Sequence, residues 1–265
     1  ENNNGIPDIL DEARIGLDFI MRMQVPQNKS PYPGMIHHKK SYQAWAPFPL
    51  APADDNGIYW GGPQVKRTIK PVSTSATLNG AAVMAQAARL WVNFPNAPKF
   101  DGSSKAYHQS LIEKAEIAWD AAVANPDLYA STDASKGSGP YHDFNLEDEF
   151  YWAAAELYLT TGKSKYKDFM LASPRFAQYQ ALDWQEVQVA GNLSLLLHKN
   201  SNGLTAAQNI QLENNLKAKA DGLINTINSE GYMTNIAPKA GSPSGGVCNG
   251  DYTYPWGSTG SFVLS

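Results

Sequence analysis

Side chains able to do chemistry gather in a few loops of this sequence. The first group is His37-His38-Lys39, within Pro33-Gly-Met-Ile-His-His-Lys39. Paired imidazoles of this kind hydrogen-bond either neutral hydroxyls or backbone carbonyls. No third His, Cys or acid stands at ligand spacing, so a zinc site is not expected there. Trp45, Tyr59 and Trp60 follow in the same stretch, and Tyr141 and Trp184 stand just ahead of later helical runs. An exposed indole presents a flat apolar face to the C–H face of a sugar ring and an N–H to its hydroxyls. The same rings could equally pin loops to the body of the protein. Asp148 and Glu149 begin another run, and Glu186 lies in Trp184-Gln-Glu186. At a helix start the dipole alone favours such acids. Asp54-Asp55, just before Asn56-Gly57, reads as a solvated turn and not as a catalytic pair. No Gly-rich phosphate loop, nucleophile elbow or Cys/His dyad occurs.

Composition narrows the partners. The 265 residues are 43% hydrophobic and only 17% charged, enough apolar content for a substantial core. A net charge of −4 gives no basic surplus for nucleic acid or an anionic membrane. No run of 18 apolar residues is present to span a bilayer. The lone Cys248 excludes an intrachain disulfide framework within this sequence. Seven Trp and thirteen Tyr form the notable surplus and suit an uncharged, hydroxyl-rich ligand. The sequence opens on Glu1 without a basic and apolar leader and ends inside the apolar run Phe262-Val-Leu264, which reads as an interrupted segment.

The elements that must position these residues are helices. Pro7 opens an amphipathic helix over about 6–25, with Asp8, Asp11 and Glu12 in its first turn. Residues 26–72 form a long irregular stretch with eight prolines. Ser73 and Thr74 cap an alanine-rich helix running to Trp91, and further helices are expected over about 104–124, 147–161, 164–171, 185–198 and 205–228. Gly162 caps the fourth of the seven. Trp91, Trp119 and Trp152 fall inside helices, where the core is the default. No convincing strand alternation is seen. Helix pairs separated by long loops suggest an all-α toroid whose loops collect at one end and form a site.

Three blocks carry a family resemblance: Asn4-Gly-Ile-Pro-Asp-Ile-Leu-Asp-Glu-Ala-Arg14, Lys70-Pro-Val-Ser-Thr-Ser-Ala-Thr-Leu-Asn79 and Asp148-Glu-Phe-Tyr-Trp-Ala-Ala-Ala-Glu-Leu-Tyr158. With Tyr254-Pro-Trp-Gly-Ser258 as a fourth block, the whole chain resembles glycoside hydrolase family 9. The resemblance implies an (α/α)6 toroid, of which residues 1–265 would supply about seven of twelve helices as a partial catalytic domain. It further implies a secreted or periplasmic enzyme that hydrolyses β-1,4-glucosidic bonds of cellulose or related β-glucans with inversion. Inversion needs a general base and a general acid about 6.5–9.5 Å apart. The family's Asp-Ala-Gly-Asp and Asn-Glu motifs, which carry them, do not occur in this sequence. No catalytic residue is therefore assigned here, and the missing parts of the same domain are expected partners. Substrate contacts are expected from His37, His38, Trp45, Trp60, Tyr141, Trp184 and Trp256, the last matching a cleft position of the family. The resemblance also implies structural calcium held by Asp148, Glu149 and Glu186, with Glu186 replacing a more usual Asp. Two rival readings remain at this stage: a non-catalytic carbohydrate-binding relic, and a member acting on another β-linked sugar such as a glucosamine oligosaccharide.

Overall fold

The computed structural model describes residues 3–180 and 182–229, together with the backbone of 239–240 and 252–253. Seven α-helices lie among the described residues: α1 (Asp8–Met23), α2 (Thr74–Trp91), α3 (Tyr107–Ala124), α4 (Glu147–Thr161), α5 (Ser164–Ala172), α6 (Gln188–Leu197) and α7 (Ala206–Ser229). They fall within a few residues of the helices expected from hydrophobic spacing and caps. Two short antiparallel ladders were not expected: β1 (Lys40–Tyr42) with β2 (Arg67–Ile69), and β3 (Lys239–Ala240) with β4 (Tyr252–Thr253). Strands of two and three residues are too short to show alternation.

The helices form two layers. α2, α4 and α6 pack side by side as an inner row, while α3, α5 and α7 pack behind them. α1 lies against α2. This inner–outer alternation is that of an α/α toroid, of which these helices supply an arc. The sequence explains which helices are inner. α2 buries twelve residues, among them Ala81, Ala82, Ala85, Ala87 and Ala88, so neighbouring backbones approach closely. Gly80 marks the closest approach: a Cβ there would overlap the tip of Ile36 and press on Ile20 of α1. Outer α7 buries only Asn209 and Leu212, in keeping with its polar sequence.

Trp91 and Trp119 sit in the core as expected, Trp91 edge-on to Tyr107 at 4.8 Å. Trp152 is only partly buried and donates from Nε1 to the buried Glu156 at 3.1 Å. Glu156 also accepts from Ser194 Oγ at 2.6 Å and pairs with Arg89, so one carboxylate joins α2, α4 and α6. An uncovered apolar face was expected where the arc stops. Ile9, Ile15 and Phe19 of α1, and Leu193 and Leu197 of α6, are exposed, as are Leu90 and Val123 on other helices, so exposure alone does not mark where the arc stops.

Candidate sugar-binding rim and acidic cluster

The antiparallel run of the helices brings the segments before α2, α4 and α6 to one end. Thr74 at the start of α2 donates its backbone N–H to the carbonyl of Leu128, just past the end of α3. The long 26–72 stretch is fastened there by its own ends. His37 bridges to Val72, and β1 pairs with β2 in the register Lys40↔Ile69. These contacts leave residues 43–66 as an excursion, with Trp45 and Trp60 exposed on it.

His38, Tyr141 and Trp184 meet on this rim. His38 Nδ1 lies 2.8 Å from Oγ of Ser73, the N-cap of α2, and its Nε2 lies 3.2 Å from the Pro140 carbonyl. Burial holds the imidazole below its ordinary pKa, assisted by Lys39 and His142 and opposed by the Pro140 carbonyl. A neutral ring must then donate from Nε2 to Pro140 and accept at Nδ1 from Ser73. Both ring nitrogens of His38 are thereby used inside the protein. Lys39 donates to the Gly139 carbonyl and lies 5.1 Å from the Tyr141 ring centre. Tyr141 stands edge-on to Trp184 at 5.7 Å, both half-exposed. Its φ of 51° is a left-handed conformation costing about 1–3 kcal/mol, of the kind that concentrates at functional sites. Gly137 is the close-packing point between the two loops. Its φ is 74°, and a Cβ there would overlap the Tyr42 carbonyl and Ala44 N, next to Trp45.

Two expected contacts stand elsewhere. His37 points Nδ1 at the Lys70 carbonyl at 2.8 Å, tying the loop to the end of β2. Trp60 occupies a separate turn with φ of 57°, and among the described residues no aromatic ring lies against it. Trp256 lies outside the described residues. Asp54 and Asp55 behave as expected of a turn, with Asp55 accepting from the Tyr59 hydroxyl at 2.8 Å.

Beneath the rim lies a buried acidic cluster. Asp143, Asp148 and Glu149 are all buried and offer one oxygen each within 4.8 Å of one another. Asp148 Oδ2 accepts from Val187 N at 2.7 Å, and Asp143 Oδ1 from Asn145 N at 3.0 Å. Asp143 Oδ2, Asp148 Oδ1 and both Glu149 oxygens have no protein partner. Burial first, then repulsion from Asp148 and Asp143, pushes Glu149 up to about 10. Burial likewise raises Asp148, with Glu186 adding to the shift. Unpartnered carboxylate oxygens in a dry pocket are costly unless a cation or proton satisfies them. The donor set is all hard oxygen, so it fits a hard divalent cation whose remaining ligands come from carbonyls or water.

Of the three expected ligands, Asp148 and Glu149 come together and Glu186 does not join them. The Glu186 carboxylate faces Arg175 Nη1 at 3.6 Å, and the same guanidinium reaches Glu147 at 3.4 Å. Asp143 takes the third place. Its only sequence signal was an acid set among Tyr141, His142 and Phe144, a context in which a carboxylate has a reason to be buried. Lys70 was also missed: it is fully buried and reaches Asp133 at 3.5 Å, holding the second loop under the first.

Comparison with known proteins agrees with this architecture. The family model described as glycosyl hydrolase family 9 matches residues 1–264. The chain is 38% identical over 287 aligned positions to a cellulose 1,4-beta-cellobiosidase of Acetivibrio thermocellus, covering all of this chain and 29% of that protein. It is 40% identical over 219 positions to endoglucanase C of Cellulomonas fimi, covering 80% of this chain and 18% of that protein. The chain thus spans less than a third of either relative. Among solved structures, a Bacteroides ovatus GH9 protein superposes with a TM-score of 0.72 at 27% identity, over 89% of this chain and 41% of the other.

Proposed function

This chain belongs to glycosyl hydrolase family 9, and from that premise we propose that the protein carrying it hydrolyses β-1,4-glucosidic bonds of cellulose or related β-glucans with inversion. Residues 1–265 are then one part of the catalytic domain, and the general acid and base come from its other segments. The observation that carries this reading is the rim at the heads of α2 and α4 and just ahead of α6, where half-exposed Tyr141 and Trp184 stand together. Rings in that position can stack on the apolar faces of pyranoses.

In this reading the residues of the chain bind and orient. Trp184 and Tyr141 supply the stacking surface, and Trp45 is exposed on the 43–66 excursion. His38 holds a fixed tautomer that clamps Pro140 and thereby Tyr141. We assign the acidic cluster to calcium, with Asp143, Asp148 and Glu149 as its carboxylate ligands. The ion would neutralise the cluster and tie the 141–149 segment to the head of α4. Because polymeric glucan does not cross a membrane, the protein acts outside the cytoplasm.

The test is incubation of the intact protein with amorphous cellulose, barley β-glucan and chitosan, followed by reducing-end release. Activity on the glucans with little on chitosan is the expected result. Binding of cello-oligosaccharides without any hydrolysis would instead support a carbohydrate-binding relic.

A further inference from the structure

An aromatic hollow among the described residues lies outside the rim. A cavity of about 470 Å³ opens between the end of α3, the head of α4 and the end of α5. This volume is in the range of small-molecule sites. Its walls include Tyr129, Phe144, Phe150 and Phe169, with the carboxylates of Asp127 and Glu147 among its polar groups. Tyr129 and Phe144 lean together at 5.3 Å on one side, and Phe150 and Phe169 at 5.7 Å on the other. Tyr129, Phe144 and Phe169 are exposed. These helices sit in the middle of the arc, with described neighbours on either side, so the hollow is not the open face left where the arc stops.

The segment Tyr141–Phe144 separates this hollow from the rim and serves both. Tyr141 meets Trp184 on the rim, Asp143 joins the acidic cluster, and Phe144 meets Tyr129 in the hollow. His142 stacks on Phe144 at 5.7 Å, and its carbonyl accepts from Gln185 at 3.1 Å beside Trp184. One four-residue segment therefore joins the rim to the hollow. We propose that the hollow is a second binding site for a β-linked glucan chain, contiguous with the rim and separate from the site of hydrolysis.

Chemistry favours a neutral sugar over a cation. No Lys or Arg lines the hollow, and the Glu147 carboxylate is already paired with Arg175 at 3.4 Å. One exposed carboxylate, Asp127, remains as a strong acceptor, with Asn145 and Ser173 as donor–acceptor groups. Two ring pairs facing a few hydroxyl-matching groups suit a pyranose with apolar faces and a polar edge. This inference rests on the glucan reading above, so its test separates the two.

The intact protein is titrated calorimetrically with a non-hydrolysable, thio-linked cellotetraose, alongside choline as a cationic probe. Two classes of sugar site are expected. Tyr129→Ala should weaken the lesser class about three- to tenfold, the scale of one aromatic contact, and leave turnover of a short chromogenic cellobioside unchanged. Asp127→Asn, on an exposed side chain, should weaken the same class without affecting the fold, and it decides the matter if Tyr129→Ala does not fold. A single class of site, two classes untouched by both variants, or choline binding more tightly than the sugar would overturn the proposal. Pocket-dependent sugar binding in a protein that hydrolyses no glucan would uphold this site and remove the hydrolase reading.

Discussion

Removing divalent cations should destabilise this protein, and the acidic cluster sets the scale. Oxygens of Asp143, Asp148 and Glu149 lie within 4.8 Å of one another, and four carboxylate oxygens have no protein partner. At that separation and an effective dielectric of 20, two full charges repel by about 3.5 kcal/mol. The cluster therefore does not hold three bare charges, and a bound divalent cation would relieve the repulsion for the folded chain alone. At a free concentration of about 100 times the dissociation constant, binding stabilises the fold by about 2.7 kcal/mol. For a chain of this size about 2–4 °C accompanies each kcal/mol, so chelation should lower the melting temperature by about 5–10 °C. The assay is thermal unfolding of the intact protein in excess calcium and in excess chelator. Asp148→Asn keeps an acceptor for Val187 N but removes a charge, and it should melt lower in calcium and respond little to chelator. Arg175→Ala is the comparison: it unpairs Glu186 while leaving the three carboxylates of the cluster in place, so the response to chelator should persist. Equal melting temperatures of the parent with calcium and with chelator would refute the assignment.

Three other outcomes follow from the same structure. Glu156→Ala should cost about 3–5 kcal/mol in denaturant unfolding, because it strands the mostly buried Arg89 and strips partners from Trp152 and Ser194; a loss below about 1 kcal/mol would show that the pair is not a buried one. His38 is held below its ordinary value by burial, so the unfolded chain takes up a proton first as pH falls. Stability should decline on acidification through about pH 6.5, and that part of the decline should vanish in His38→Gln; an identical pH profile for the variant would contradict it. Trp184→Ala, removing a half-exposed ring, should weaken cello-oligosaccharide binding about three- to tenfold with little change in melting temperature, and unchanged affinity would take Trp184 out of the rim.

The helices were legible in the sequence because their signals are local. Ser73 as a cap, Gly162 as a stop and the alanine stripe of α2 each act within one or two turns. What escaped the sequence is contact across loops. Lys40–Tyr42 finds Arg67–Ile69 only because His37 and Val72 already hold the loop ends together. Asp148 and Glu149 were legible as a pair, being adjacent at a helix start. Their third partner was not, since Glu186 and Asp143 both fall in loops, and only the packing of Arg175 draws Glu186 away. His38 looked like a group free to meet a ligand. The structure spends both of its nitrogens on Ser73 and Pro140, which no spacing rule reveals.

If this family 9 chain forms part of an inverting β-1,4-glucanase, as proposed, the stereochemistry of its products must show it. The most direct test is early-time proton NMR of the intact protein acting on cellopentaose, read at the anomeric signals of the new reducing ends. Products should first appear as the α-anomer and then mutarotate. Products appearing first as the β-anomer, or intact cellopentaose after prolonged incubation with the calcium-loaded protein, would contradict the proposal.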